Sequence, residues 1–184
     1  STGRAWERAA FIKARACAGD IKAGESFLKK LKPFVWRRHL DFAAIKEAHD
    51  IRLKIKENNL KNGDANFFGR NIKLSEGGIR DIEFFAQTRQ IIAGGRDDTL
   101  RSPKTCSALV DLTKSGWVTE EDRDVLTKAY KYYRIVEHRL QMINDIQTHD
   151  LPMSLAGLER VALFMGISKG LDLKREIELN LDRV

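Results

Sequence analysis

Proline and cysteine are scarce in this chain: 184 residues hold three prolines and two cysteines, and aromatic residues make up only 8%. So few prolines leave long stretches that no ring interrupts, which favours helices. Cys17 and Cys106 stand apart, with no CxxC pair. Neither they nor His39, His49, His138 and His149 show metal-ligand spacing, which removes the usual grounds for a metal site or a disulfide framework. Two buried thiols in a reducing cytoplasm is the expectation. No apolar run approaches the roughly 18 residues of a membrane span, and no signal-peptide pattern opens the chain. Internal repeats and low-complexity tracts are also missing.

What is present is a globular composition, 42% hydrophobic and 32% charged, enough chain for one domain over residues 1–184 with its own core. The start at Ser1-Thr2-Gly3, already inside a helical pattern, suggests a piece of a longer chain. The net charge of +7 fits either an anionic partner or a solvated surface richer in Lys than Glu. Basic residues spread along the whole chain favour the second, apart from clusters at Arg4, Arg8, Lys13 and Arg15 and at Lys29 to Arg38.

Apolar periodicity and breakers predict an all-α bundle of about seven helices, two of them long and central. The first runs from Gly3 to Ala18 and stops at Gly19-Asp20. A short helix covers Lys22 to Leu31, and Pro33 opens a long one toward Asn59. Lys61 to Arg70 is the least structured stretch, and Ile72 to Leu74 is briefly extended. A helix N-capped by Ser75 runs to Gly94-Gly95. Others span Ser102 to Ser115, then Thr119 to Ile146 behind a capping signal, then Ser154 to Met165, and finally Leu171 onward.

Two polar stripes break the apolar faces. On a wheel of about 100° per residue, Glu76, Arg80, Glu83, Gln87 and Gln90 fall in one narrow sector of an otherwise apolar helix. Arg134, His138, Gln141 and Asp145 form a matching stripe on the longest helix. Such stripes either pair with each other, as Arg80 with Asp145 or Glu83 with Arg134, or line a cleft. The helix start near Glu76, Arg80 and Glu83 would add unpaired N–H groups for a phosphate. On the first helix Arg4, Arg8, Arg15 and Phe11 share one face, and Lys13 lies opposite beside Trp6, where it needs an anion or a snorkelling path. Trp36 beside Arg37 and Arg38 either stacks a base or belongs to the core. His138 is read as a donor into the polar stripe.

The segment Asn71 to Gly95, NIKLSEGGIRDIEFFAQTRQIIAGG, sets a Gly-Gly pair before Asp81 and Glu83, like the metal pair of a nucleotidyltransferase. The spacing from Gly78 to Asp81 is too short, and residues two apart on a helix diverge by about 200°. No metal is therefore assigned to them. The same residues resemble the EGGIR-[DE]-IEF signature of bacterial glutamine synthetase adenylyltransferase/deadenylylase. GRAWERAAFIKAR at Gly3 to Arg15 resembles that family's GR-x-WER…IKAR helix, with Ala10-Phe11 replacing the usual Ala-Met or Ala-Leu. HRLQ at His138 to Gln141, Gln147-Thr148 and Leu151-Pro152 resemble its HRLQ…QT…LP element. In wording, the chain is closer to the N-terminal, adenylyl-removing half, since the C-terminal half carries looser versions such as ITDIEF.

The resemblance implies a helical domain that follows a nucleotidyltransferase domain, in an enzyme controlling glutamine synthetase by reversible tyrosine adenylylation. It implies Mg²⁺ and ATP or ADP on that other domain and none bound here, with glutamine synthetase and the PII signal protein as partners. In that family the first helix lies beside the nucleotide site, which implies phosphate contacts for Lys13 and for Arg4 or Arg15. The remaining expectations are that this piece alone turns nothing over, and that Glu76, Arg80 and Glu83 face the nucleotide. A basic nucleic-acid-binding module and a non-catalytic regulatory interaction domain stay open as alternatives, the first weakened by acids alternating with bases along nearly every helix.

Overall fold

The computed structural model describes residues 5–38, 46 and 67–184. Among them the structure is helical, with no strand beyond a single bridge between Asn71 and Asp150. Seven α-helices follow in order: α1 Ala5–Ile12, α2 Ile21–Val35, α3 Ile79–Ala93, α4 Thr105–Lys114, α5 Glu120–Asn144, α6 Leu155–Phe164 and α7 Gly170–Arg183. A 3₁₀ turn at Asp98–Leu100 precedes α4. The expected all-α class is therefore found. The helix expected from Pro33 to Asn59 lies mostly outside the described residues, as do Arg4 and the stretch from Lys61 to Asn66.

Several boundaries differ for local reasons. Pro33 does not open a helix but sits in the last turn of α2, where its missing N–H removes one ladder bond next to an end that frays anyway. Asp20 caps the start of α2, its Oδ1 accepting from the Ala23 N–H at 2.9 Å. Thr119 does the same for α5, its hydroxyl oxygen accepting from the Asp122 N–H at 3.1 Å, and Ser154 for α6, accepting from Gly157 at 3.2 Å. Helix α1 ends at Ile12, so Lys13, Arg15 and Cys17 leave the wheel on which they were placed. Arg8 is buried and donates to the Val35 carbonyl through Nε at 3.4 Å and Nη2 at 3.3 Å, while Arg15 is exposed. The cysteines correct another expectation: both are free, Cys17 exposed and Cys106 half-buried.

The chain divides into two compact units, each made of two stretches of sequence. The first comprises Ser1–Arg52 and Phe84–Arg123. Ile12, Val35, Leu100, Leu109 and Leu112 are buried in it. Gln90, which the wheel put in a polar stripe, is buried too. Its Nε2 donates to the carbonyls of Leu100 at 2.7 Å and Ser102 at 2.8 Å, which fixes the 3₁₀ turn against α3. Asp97 caps that turn, and its carboxyl is held below the usual range by the Thr99 hydroxyl first and the Thr99 N–H second. Arg89 lies 3.4 Å over the Phe85 ring and donates to the Phe85 carbonyl. Burial lowers its pKa, against the pull of Asp122.

The second unit comprises Leu53–Glu83 and Asp124–Val184. Helices α6 and α7 pack against one another, burying Leu158, Val161, Leu173 and Ile177 completely. Ile72, Ile79, Ile82, Tyr133, Val136 and Leu151 are buried in the same unit. Each fully buried Leu or Ile contributes roughly 1.5–3 kcal/mol, so this unit rests on apolar burial. What it positions is the signature loop, Asn71 to Gly78.

Candidate functional site

The signature loop is held by the chain segment His149 to Pro152. Residues Asn71 and Asp150 form an antiparallel bridge. The Ile72 N–H donates to the His149 carbonyl at 3.0 Å, and the Leu151 N–H to the Arg70 carbonyl at 2.8 Å. Asn71 Nδ2 donates to Asp150 Oδ1 at 2.6 Å. The Oδ1 of Asn71 accepts from the N–H groups of Lys73 and Leu74 at 3.1 and 2.9 Å, which is the turn chemistry that Asn supplies. Two motifs nearly eighty residues apart thus meet: the one ending in GGIRDIEF and the one reading QTHDLP.

From Asn71 the loop turns into α3 three residues later than expected, at Ile79. Gly77 takes a φ of +74°, a left-handed conformation that favours glycine. A Cβ on Gly77 would run into the Leu181 carbonyl. Asp81 reaches back so that its Oδ2 accepts the Gly77 N–H at 2.9 Å. Ser75 is buried, and its carbonyl accepts from Gly78. The cap is therefore Asp81 rather than Ser75. The Ile79 N–H donates to the Ile72 carbonyl at 3.2 Å and the Arg80 N–H to the Lys73 carbonyl at 2.9 Å. These first-turn donors are satisfied within the protein, so the helix start does not offer the unpaired N–H groups expected of it.

The polar stripes resolve into different pairs from those drawn on the wheel. Glu83 Oε1 accepts from the Tyr130 hydroxyl at 3.2 Å. Arg134 pairs with Glu137 at 2.6 Å, so the expected Glu83–Arg134 pair is replaced by one within α5. Arg80 is exposed, and Asp145 lies past the end of α5 at a φ of +50°. Neither enters an ion pair among the described residues, which corrects the Arg80–Asp145 pairing. Gln141 Nε2 donates to the Thr148 carbonyl at 3.2 Å, and Gln87 is half-buried. His138 is exposed and makes no hydrogen bond among the described residues, so it is not a donor into the stripe.

The charged centre of the second unit is Glu137, a residue that sequence reasoning passed over. It is 2% exposed. Its Oε2 meets Arg134, and its Oε1 meets His149 Nδ1 at 2.6 Å. The other ring nitrogen, His149 Nε2, lies 3.5 Å from Lys73 Nζ. The signal was available: Glu137 falls at i+4 from Tyr133 and i−3 from Leu140, on the core face of α5, where a carboxylate needs partners. Tyr132 donates its hydroxyl to Glu176 at 3.0 Å. Burial raises its pKa, reinforced by that carboxylate. Burial likewise raises Tyr133, with Asp182 adding to it.

Of the other expected residues, Lys13 lies in the first unit and its Nζ donates to the Thr105 hydroxyl at 3.3 Å. Glu76, Arg80 and Glu83 belong to the second, Glu76 being exposed. In the first unit a cleft of about 410 Å³ is lined by Phe11, Leu28, Leu31, Lys32, Trp36 and Arg101, among others. The Arg101 guanidinium sits 5.6 Å from the centre of the Trp36 ring, so one face of the ring already has a cationic cover. Asp81 and Glu83 turn to different groups, Gly77 and Tyr130. Among the described residues no three His, Cys, Asp or Glu side chains gather as a metal site would need.

The described residues are all-α, and the signature loop belongs to the second of the two units. Residues 49–184 match the family model described as GlnD PII-uridylyltransferase, and the chain belongs to that family. It is 50% identical over 182 residues to the bifunctional glutamine synthetase adenylyltransferase/adenylyl-removing enzyme of Rhodopseudomonas palustris (strain HaA2), covering 99% of this chain and 18% of that protein. Proteins of the same description from Bradyrhizobium sp. (strain BTAi1 / ATCC BAA-1182) and Agrobacterium fabrum (strain C58 / ATCC 33970) are each 53% identical, over 166 and 164 residues. Each of those matches covers 89% of this chain and 16% of the relative. The chain thus spans less than a fifth of the length of the curated relatives it matches. No helix among the described residues is long and apolar enough to cross a membrane.

Proposed function

We propose that this chain is one helical domain of a bifunctional, cytoplasmic enzyme that adenylylates glutamine synthetase and removes the adenylyl group again. Within that enzyme it belongs to the adenylyl-removing half. What carries the reading is identity near 50% across almost the whole chain, together with the docking of the GGIRDIEF loop on the QTHDLP segment. Glutamine synthetase is then the protein substrate of the whole enzyme, and a PII-type signal protein a regulatory partner. Magnesium and ATP or ADP belong to a nucleotidyltransferase domain elsewhere in the polypeptide. The described residues do not fit a metal pair, because Asp81 caps the Gly77 turn and Glu83 holds Tyr130. No chemical step is routed through a metal here, and the domain by itself is expected to turn nothing over.

Its contribution is a wall of the active site with positive charge set for phosphate. Arg80, exposed at the head of α3 and outside any ion pair among the described residues, is the foremost candidate, with Glu76 in the same unit. Lys13 and Arg15 belong to the other unit and, with Arg4, are proposed separately as phosphate contacts. The test is phosphorolytic deadenylylation of glutamine synthetase, read as ADP formed from phosphate and the adenylyl group, by the full-length enzyme carrying Arg80→Ala. Activity at least tenfold down, equivalent to about 1.4 kcal/mol in the transition state, with an unchanged melting temperature is the expected outcome. Full activity would remove Arg80 from the active-site wall. Glu83→Ala serves as the structural contrast: the hydrogen bond from Tyr130 is lost, so melting temperature falls together with activity.

A further inference from the structure

We propose that Ile135, Arg139, Met142 and Phe164 form a docking face for another domain of the same polypeptide, an apolar surface that presents one carboxylate to Arg139. Docking in cis rests on the reading of this chain as one domain of a longer enzyme.

Helix α5 buries Leu126, Ala129, Tyr133, Val136 and Leu140 in the second unit. Roughly 140° round the helix, at about 100° per residue, runs a second line of side chains. It opens with Lys128 and Lys131, both exposed, as a solvated face should. From Ile135 onward the same line turns apolar. Ile135, Arg139 and Met142 stand four and three residues apart, which sets them side by side. Phe164, the last residue of α6, joins them, with the Arg139 guanidinium 5.4 Å from the centre of its ring. Ile135, Met142 and Phe164 are 48, 58 and 50% exposed, so three large apolar side chains surround one cation at the surface.

Arg139 has five N–H donors and little to receive them. Its Nη1 lies 3.6 Å from the Met142 sulfur, a weak acceptor, and its Nε is buried without a hydrogen-bond partner. Glu137, the nearest acid along the helix, meets Arg134 and His149 instead. No carboxylate pairs with Arg139 among the described residues. A planar guanidinium is matched best by a carboxylate, and arginine beside methionine and an aromatic ring is the composition of an interface core. A second copy of this chain is a poor complement. A two-fold contact sets a central residue against itself, which would bring two Arg139 guanidinia together with no acid between them. A linked domain has no such conflict, and linkage holds it at an effective concentration of about millimolar. The chain covers less than a fifth of the length of its relatives, so ample polypeptide exists to supply that domain.

The experiment reads oxidation of Met142 by dilute hydrogen peroxide, resolved by peptide mass spectrometry, in this chain alone and in the full-length enzyme. Exposed methionine goes to the sulfoxide. Added free methionine standardises the rates, and circular dichroism confirms that the chain alone is folded. Met142 should oxidise at least tenfold more slowly in the full-length enzyme. Arg139→Gln should raise that slow rate at least threefold and leave the melting temperature of the chain alone in place. Equal rates in the two proteins, or an unaltered rate in Arg139→Gln, would each overturn the proposal. So would a rate in the chain alone that falls with its own concentration, which would assign the face to a second copy. Activity is no part of this readout, so a wrong assignment of the reaction would show in deadenylylation and leave these rates as expected.

Discussion

At the residue scale, the buried Glu137 carries more weight than any member of the stripes drawn on helical wheels. It pairs with Arg134 at 2.6 Å and lies 2.6 Å from His149 Nδ1 while only 2% exposed. Removing one partner of a buried charge network typically costs about 3–5 kcal/mol, because the remaining charges lose their compensation. Both partners here are partly exposed and can recover water, so Glu137→Ala should cost about 3 kcal/mol, the lower end of that range. Glu137→Gln, which still accepts one hydrogen bond, should cost less. Urea unfolding of the two variants measures the difference, and equal stability to the parent would show that the network is dispensable. Glu137 was legible as a carboxylate on a core face, but its partner His149 was not. The pairing depends on a turn between α5 and α6 that brings position 149 back beside 137, and no helical periodicity encodes that return.

At the scale of elements, what could be read was whatever local chemistry decides. Thr119 and Ser154 cap helices where short polar side chains precede apolar periodicity, and the structure places α5 and α6 directly behind them, while Asp20, read only as a breaker, caps α2. The start of α3 was misread because a capping rule favouring Ser75 competes there with a left-handed glycine, Gly77, and with an aspartate reaching back from the first turn. Pro33 misled in the opposite direction: a proline tolerated in a last turn looks the same in sequence as one opening a helix. Gly77→Ala tests the first of these. The substitution meets both a positive φ and the Leu181 carbonyl, so a loss of about 1–3 kcal/mol is expected from backbone strain and steric clash. Thermal denaturation decides it, and a melting temperature within a degree of the parent would mean that the loop readily finds another path.

At the scale of the whole molecule, the all-α class followed from composition and few prolines, whereas the division into two units did not. Each unit takes an early and a late stretch of chain, and such interleaving leaves no mark on hydropathy. One global property can be derived from the buried tyrosines. Tyr132 and Tyr133 both have pKa values raised by burial, so the folded protein keeps these phenol protons at a pH where the unfolded chain, near 10, gives them up. Their contribution to stability is complete below pH ~10 and is lost as pH rises above it, at up to ~1.4 kcal/mol per pH unit for each tyrosine. Tyr133 is fully buried, and its hydroxyl has no hydrogen-bond partner among the described residues. Tyr133→Phe should therefore be neutral or slightly stabilising at pH 8 and should reduce the loss between pH 10 and 11. Urea midpoints at the three pH values are the measurement, and an unchanged alkaline loss in the variant would assign it to other groups.

The bond between Asn71 and Asp150 joins residues 79 apart in sequence, and that interval is also a time. On a ribosome adding about 5–20 residues per second, Asn71 waits roughly 4–16 seconds for its partner to be made. During that wait the signature loop lacks the segment against which it is held. Ile72 lies beside it, completely buried in the finished protein but without its hydrogen bond to the His149 carbonyl until that residue emerges. The second unit is thus begun early and closed late, with Phe84 to Arg123 synthesised in between. A nascent chain stalled within that window would present an unsealed loop, a ready substrate for chaperones and proteases.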